Sequence, residues 1–264
     1  MASNSDLSTQ IEFLPRNKSF DGFHNIGSPL NEDRQTAHAR VDSIDNIFWR
    51  QADLTTIVAS LSKELKDSFS NGMANVCESY VGCRLKSKFR SIAKSGKKEN
   101  GHYPVLLSKF GALLNGFEFN SKKPYHDIFQ GKYFIREGSN RGHLILNFPA
   151  FVPNHSLNPP KEATHFKLYN ELVTLSDYKY DEEMGYVPMS KKFHGKKSEF
   201  YSSMLPIIKI PTQPITSQLS VNNGMGISND SGLLLIMGVH FYQYQNGRYK
   251  PLPKESSLDI VKVY

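Results

Sequence analysis

Cysteine is scarce in this chain of 264 residues, which contains only Cys77 and Cys83. Two cysteines exclude a scaffold held together by several disulfides. Both lie in a helical pattern, where six residues rise about 9 Å, whereas a disulfide spans at most roughly 7 Å between Cα atoms. We therefore expect two reduced cysteines that pack as small apolar residues.

Long apolar runs and a secretory signal are also missing. No run of about 18 apolar residues occurs in the sequence, so a transmembrane helix is not expected. The segment Met1–Leu7 lacks the basic and apolar regions of a signal peptide. The default expectation is a soluble cytoplasmic protein, and export by a route that leaves no N-terminal signal stays open.

Catalytic and cofactor-binding motifs are absent as well. The sequence contains no Gly-x-Ser-x-Gly elbow, no P-loop and no His-Glu-x-x-His, and Gly224-Met-Gly226 lacks the third glycine of a nucleotide-binding loop. Nine histidines are scattered without metal-ligand spacing, and we expect those inside apolar strands (His143, His165 and His240) to be hydrogen-bonded core or strand-face residues. The prediction is a protein that is not an enzyme, with no cofactor and no metal site evident from spacing.

Positive charge is present, and it is concentrated in one segment. The chain carries a net charge of +7, and residues 84–109 contain eight basic residues and one acid, Glu99, which accounts for the whole excess. A localised basic segment is typical of a surface that faces a partner. The candidate partner-binding residues are Arg84, Lys86, Lys88, Arg90, Lys94, Lys97 and Lys98. A solvated helix face is the interpretation that the sequence favours, and the alternatives are nucleic acid and an acidic protein surface, including another copy of this chain.

The first 40 residues are polar and interrupted by Gly and Pro, with one short apolar piece at Ile11–Leu14. We predict an extended N-terminal arm over residues 1–40.

Residues 41–112 have a helical pattern and predict a helical hairpin. Apolar residues of the first helix recur at three- and four-residue steps: Ile44, Ile47, Phe48, Leu54, Ile57, Val58, Leu61 and Leu65. Asn71-Gly72 is expected to end it. The inner side of the second helix is predicted to be Met73, Cys77, Tyr80, Val81, Leu85, Phe89 and Ile92.

Residues 113–264 change to a period of two and predict an antiparallel, immunoglobulin-like β-sandwich of about eight to ten strands, with no helix after Gly116. The predicted strands include 117–119, 133–136, 143–148, 165–169, 172–175, 204–210, 215–221, 233–245 and 257–264. Asn246-Gly247 predicts a type I′ turn, because both central residues of that turn need a positive φ. The acidic run Asp181–Glu183 and the lysines of 191–197 are expected in solvated loops. The predicted fold class is thus α+β.

Five blocks of the second half are distinctive: Leu114–Asn120, Phe148–Asn154, Ala163–Leu168, Leu233–Gly247 and Ile260–Val263. Together they resemble a family of uncharacterised proteins of the Bacteroidota. The family combines a variable start, a helical hairpin and a strand-rich body, so the resemblance implies architecture and a bacterial source. It implies no activity and no catalytic residue. This chain departs from the family at its N-terminus, where a Gly-rich, strand-like start is absent.

Three functions are consistent with these patterns. The leading hypothesis is a non-enzymatic structural or interaction protein that self-assembles through its N-terminal arm and its sandwich edges into a homo-oligomer or filament. The first alternative is nucleic-acid binding by the basic helix. The second is a carbohydrate- or ligand-binding sandwich with Tyr242, Tyr244 and Tyr249 as a platform, although cross-strand pairing also explains these tyrosines.

Overall fold

The computed structural model describes residues 53–224 and 226–264. These residues form an α+β fold with two long helices and mostly short, antiparallel strands, as the change of hydrophobic period along the sequence predicts. The predicted arm over residues 1–40 and the helical positions Ile44, Ile47 and Phe48 lie outside the described residues, as does Met225.

The first long helix, α1, runs from Leu54 to Asp67. Asp53 caps it, and its side-chain Oδ1 accepts a hydrogen bond of 2.8 Å from the backbone N–H of Thr56, which satisfies a donor that a helix start leaves unpaired. The predicted apolar positions within this helix that are fully buried are Ile57, Val58, Leu61 and Leu65.

The second helical segment is interrupted, unlike the single helix that the sequence predicts. A short helix, α2 (Asn71–Ala74), is followed by a turn and then by the long helix α3 (Val81–Ser95). Val81, Leu85, Phe89 and Ile92 are buried as predicted. The prediction for Tyr80 is wrong: it precedes the first residue of α3, outside the helical repeat, and is 76% exposed.

Short helices also occur, two of them where none was expected. The segment before the first strand, whose pattern is that of a short helix or a turn-rich connector, contains α4 (Leu107–Phe110). Helices α5 (Tyr125–Ile128) and α6 (Pro153–Ser156) interrupt the strand-rich half, for which no helix was predicted. Each has four residues, too few for a periodic signal in the sequence.

Twelve strands follow Gly116 in the described chain. They are β1 (Phe117–Glu118), β2 (Phe134–Glu137), β3 (His143–Phe148), β4 (His165–Ser176), β5 (Tyr178–Asp181), β6 (Gly185–Pro188), β7 (Lys197–Tyr201), β8 (Leu205–Pro206), β9 (Ile215–Ser220), β10 (Ser231–Gln245), β11 (Arg248–Pro251) and β12 (Ser257–Val263). The main sheet has the order β1-β12-β10-β4-β7, with β11 paired to β10 and β8 to β4. A second sheet has the order β2-β3-β9, and β5 and β6 form a separate hairpin.

Three segments differ from the strand prediction. The two strands predicted at 165–169 and 172–175 are one continuous strand, β4, because Asn170 and Glu171 are buried within it and pair with β10. The predicted strand at 204–210 is reduced to β8. The expected loop at 181–197 begins in the β5–β6 hairpin and ends at β7, whose charged residues hide the strand pattern.

The ladder between β4 and β10 is the longest pairing in the described chain, with twelve antiparallel residue pairs from Ser231↔Ser176 to Tyr242↔His165. The two faces of these strands belong to different buried clusters. Leu234 and Ile236 pack with α1 and α3, whereas Leu235 and Met237 pack with the second sheet. The helices and the second sheet therefore cover opposite faces of the main sheet, and the packing of sheet on sheet is compatible with a β-sandwich.

The predicted turn between β10 and β11 is confirmed. Asn246 has φ 53° and Gly247 has φ 74°, which is the conformation that a type I′ turn requires. Tyr244 and Tyr249 are cross-strand partners with ring centroids 4.9 Å apart. Cross-strand pairing therefore accounts for these two tyrosines.

Glu171 is a carboxyl group in the middle of β4 with no solvent exposure. The hydroxyl of Tyr169 donates to its Oε2. Burial raises the pKa of Glu171 from 4.5 to about 7, because the charged form loses hydration.

A carboxyl with a raised pKa makes stability fall as pH rises. Below pH 4.5 both states are protonated; between 4.5 and about 7 the unfolded chain loses the proton and the folded chain keeps it. Between these pH values the free energy of unfolding should fall by about 3 kcal/mol because of Glu171. The Glu171→Gln variant should not show this fall. Urea unfolding between pH 4.5 and 7.5 measures it. The exposed Glu162→Gln variant should retain the wild-type slope, and equal slopes in all three proteins would contradict the assignment.

Candidate functional site

The seven candidate residues form one basic surface on α3 and the segment after it: Arg84, Lys86, Lys88, Arg90, Lys94, Lys97 and Lys98. The buried face of α3 consists of Val81, Leu85, Phe89, Ile92 and Ala93. Because residues along a helix are displaced by about 100° each, the basic side chains are distributed around the remaining circumference. Lys88, Arg90 and Lys94 are exposed, and Arg84 and Lys86 are half-buried.

Two members of the basic surface have specific partners. Arg84 forms an ion pair with Glu78, and its guanidinium lies 4.9 Å from the centroid of the Phe117 ring. The Nζ of Lys98 lies 5.0 Å from the ring centroid of Tyr103. These are the contacts of side chains that also contribute to packing.

The other five cations of the basic surface have no ion pair within the described chain. None of the ion pairs with N···O at most 4.0 Å between described residues includes Lys86, Lys88, Arg90, Lys94 or Lys97. Ser87 and Ser91 lie between them on the exposed side of α3, and their short side chains allow a close approach to the helix. This arrangement presents clustered positive charge without an internal counter-charge, which suits a polyanionic partner.

A second feature is a pocket of about 430 Å³ between α1 and the β5–β6 hairpin. Its wall is largely apolar, with a few polar groups, and the lining residues are Ser60, Glu64, Tyr178, Met184, Tyr186, Val187, Pro188, Lys191 and His194. An apolar wall with few convergent polar groups is typical of small-molecule sites.

His194 is held in this pocket through both ring nitrogens. Its Nδ1 accepts a hydrogen bond of 3.0 Å from the backbone N–H of Ser176. Its Nε2 lies 2.5 Å from Glu64 Oε2 and 3.1 Å from the hydroxyl of Tyr178. Since Nδ1 acts as the acceptor, the ring proton is on Nε2 and points to Glu64.

This bonding pattern does not present a base to a substrate. In a catalytic triad, one imidazole nitrogen faces the carboxylate and the other faces the nucleophile. In His194 the second nitrogen is occupied by a main-chain donor instead. Burial, together with the negative charge of Glu64, raises the pKa of Tyr178, so its hydroxyl stays protonated. The geometry is that of a structural link between α1 and the segment before β7.

The sequence reasoning missed this pocket, because Glu64, Tyr178 and His194 are far apart in the chain and no spacing rule connects them. Gly195 is a residue whose closeness to Glu64 is visible only in the structure. It has φ +70°, and an added Cβ would lie 2.6 Å from Glu64 Oε1.

The aromatic platform predicted at the last hairpin is a compact cluster. His165 lies against both hairpin tyrosines, with ring centroids 5.9 Å from Tyr244 and 4.9 Å from Tyr249. Tyr242 instead hydrogen-bonds to Nδ1 of His240 at 3.0 Å. Among the described ring contacts, none joins Tyr242 to Tyr244 or Tyr249, and a ligand-binding role of these tyrosines stays a prediction.

The structure also shows the surroundings of a buried histidine and of the two cysteines, for which the sequence made predictions. His240 is a core residue, as predicted, and burial with the nearby Lys167 lowers its pKa to about 4. Cys77 and Cys83 are both free. The packing prediction is confirmed for Cys77, where burial raises the pKa to about 12, and is wrong for Cys83, which lies on the exposed side of α3.

Comparison with known proteins adds no assignment: no protein-family model matches the chain, and no curated protein matches it at a significant level. In the part of the chain that the structure describes, no helix has both the length and the apolar character needed to cross a membrane.

The contact between Gly195 and Glu64 can be tested with two glycines of similar conformation. Gly195→Ala should destabilise the protein by up to about 1 kcal/mol more than Gly247→Ala, because only the first forces the end of the Glu64 side chain to move away. Gly247 has φ +74°, and an added Cβ would have no atom of the described chain within 4 Å apart from its own neighbours, so it controls for the cost of the positive φ. Chemical unfolding measures both, and the extra cost should disappear in a Glu64→Ala background. Equal costs for the two glycines would contradict the contact.

Proposed function

We propose that this protein is a non-enzymatic interaction protein that self-assembles through the edges of its sheets. The observation that carries the proposal is the open edge of the second sheet. Strand β2 pairs with β3 alone among the described strands, and its first residue, Phe134, is 59% exposed. Such an edge presents unpaired backbone N–H and C=O groups to another chain.

The proposed occupant of this edge is the apolar segment Ile11–Leu14 of a second copy. The segment alternates apolar and polar side chains at its start, as a half-buried strand requires. Residues 15–52 connect it to α1, and at up to about 3.3 Å per residue they suffice to reach a neighbouring molecule. A head-to-tail contact of this kind closes into a ring or continues as a filament.

One further feature supports this class of function. His194, the histidine that lines the pocket, uses both ring nitrogens in contacts within the protein, so neither is directed at a substrate. The scaffold we propose keeps the predicted helical hairpin, formed by α1 and α3, and the predicted immunoglobulin-like sandwich, formed by the two packed sheets. We also propose that the protein belongs to the Bacteroidota family that it resembles.

Assembly is measured by size-exclusion chromatography with light scattering and by negative-stain imaging of the full chain. We expect particles larger than one chain, which dissociate when residues 1–40 are deleted or when Phe134→Asp places a charge on the β2 edge. The matched control is Tyr80→Asp, since Tyr80 is the more exposed aromatic residue but lies outside the sheets. A monodisperse monomer at high concentration, unchanged by the deletion, would exclude the proposal.

A second candidate function is nucleic-acid binding by the basic surface. The observation in its favour is that six of the seven cations, all except Arg84, lack an ion pair within the described chain, in the segment that supplies the whole net charge. Phosphate backbones bind such clusters by releasing counterions. Tyr103, beside Lys98, adds an aromatic ring next to the cluster.

The matched test compares two triple charge reversals with the same change in net charge. The variant Lys86→Glu/Arg90→Glu/Lys94→Glu should weaken DNA or RNA binding at about 50 mM salt by more than about tenfold and reduce the salt slope by about 3. The control Lys161→Glu/Lys209→Glu/Lys250→Glu reverses exposed lysines elsewhere and should retain most of the affinity. Fluorescence anisotropy measures both. Absence of wild-type binding, or equal losses in the two variants, would remove this candidate.

A further inference from the structure

Three potential metal ligands meet where β1, α5 and β12 approach one another. Glu118 lies on β1, His126 on α5 and Asp259 on β12, and one donor atom from each lies within 4.8 Å of the other two. Their positions in the chain have no metal-binding spacing, so the group is produced by the fold alone.

The two carboxylates are forced together by the sheet. Glu118 and Asp259 are direct partners in the antiparallel pairing of β1 with β12, so their side chains point to the same face. Like charges at directly opposed positions destabilise a sheet. A bound cation would convert this repulsion into attraction.

Asp259 also has an unused acceptor in a buried position. The residue is only 5% exposed. Its Oδ2 accepts a hydrogen bond of 2.8 Å from the backbone N–H of Tyr125, whereas Oδ1 is buried without a hydrogen-bond partner among the described residues. An orphaned buried carboxylate oxygen is costly unless a ligand satisfies it.

The surrounding charges favour a cation. Asp127 lies next to the group, with its Oδ1 3.3 Å from Nε2 of His126. Of the charges that act on Asp259, Glu118 and Asp127 are acidic and Arg84 is basic, and the guanidinium of Arg84 is already paired with Glu78. Negative charge therefore remains in excess around the three ligands.

We propose that Glu118, His126 and Asp259 bind a divalent first-row transition metal, with Zn²⁺ as the best fit. One imidazole and two carboxylates suit such an ion, and three protein ligands leave one position for water. Zn²⁺ bonds of about 2.0–2.2 Å place tetrahedral ligand atoms about 3.4 Å apart. The donor atoms must therefore move slightly closer together on binding. The side chain of His126 is exposed and is free to make this movement.

The hard cations fit less well. Ca²⁺ takes about six to eight oxygen ligands, and Mg²⁺ keeps several waters and binds carboxylates and phosphates rather than imidazole. In the proposed site the metal joins the edge strand β1 and the short helix α5 to the central part of the sheet. This inference is independent of the assembly proposal, because it concerns stability within one chain.

The experiment titrates Zn²⁺ into the chelator-treated full-length protein by isothermal calorimetry, in parallel with Mg²⁺ and Ca²⁺, and measures Tm with and without Zn²⁺. We expect Zn²⁺ to bind at one site and to raise Tm. Asp259→Asn and His126→Ala should each weaken this binding at least tenfold and abolish the increase in Tm. The matched control is His155→Ala, which removes an exposed histidine on α6 and should behave like the wild type.

Asp259→Asn keeps the size of the side chain and its acceptor for the Tyr125 N–H, so the fold should persist. If that variant does not fold, Glu118→Gln on the edge strand takes its place. The inference is overturned if the wild type does not bind Zn²⁺, or if all variants bind it with the affinity of the control.

Discussion

The antiparallel ladder between β4 and β10 constrains everything else in the described chain. Its residues are buried on both faces, so alternate side chains must satisfy two different cores at once: α1 and α3 on one side and the second sheet on the other. A shift of one residue in register would exchange the two sets of side chains. The long pairing therefore determines which residues of the helices and of the second sheet have a surface to pack on.

Because this ladder lies at the centre of the fold, the groups that could bind a partner or a ligand lie at the edges of the sheets or outside them. The basic surface occupies the outer side of α3, the open edge belongs to β2, and the pocket with His194 lies between α1 and a hairpin outside the main sheet. Glu118 and Asp259 meet at the β1 edge. Polar groups that are buried nearer the centre, such as Glu171, are costly to charge and serve the packing rather than a partner.

Local signals in the sequence were sufficient for some elements and insufficient for others. The Asn246-Gly247 turn and the buried positions of α1 follow from conformational preference and from a period that is visible within about ten residues. The continuity of β4 was hidden, because Asn170 and Glu171 are polar residues inside a strand. The β5–β6 hairpin and β7 were hidden because charged residues dominate them. In both cases tertiary pairing outweighs local pattern.

The sequence by itself determined the α+β class, the closing hairpin, the free cysteines and the concentration of positive charge in one segment, since each depends on residues that are close in the chain. Only the tertiary structure decided that the helices share a core with the main sheet and that Glu64 meets His194. It also decided that two carboxylates face each other beside His126. The physical reason is the same in each case: these contacts join residues far apart in the chain, and their positions depend on strand register and packing, which no local spacing encodes.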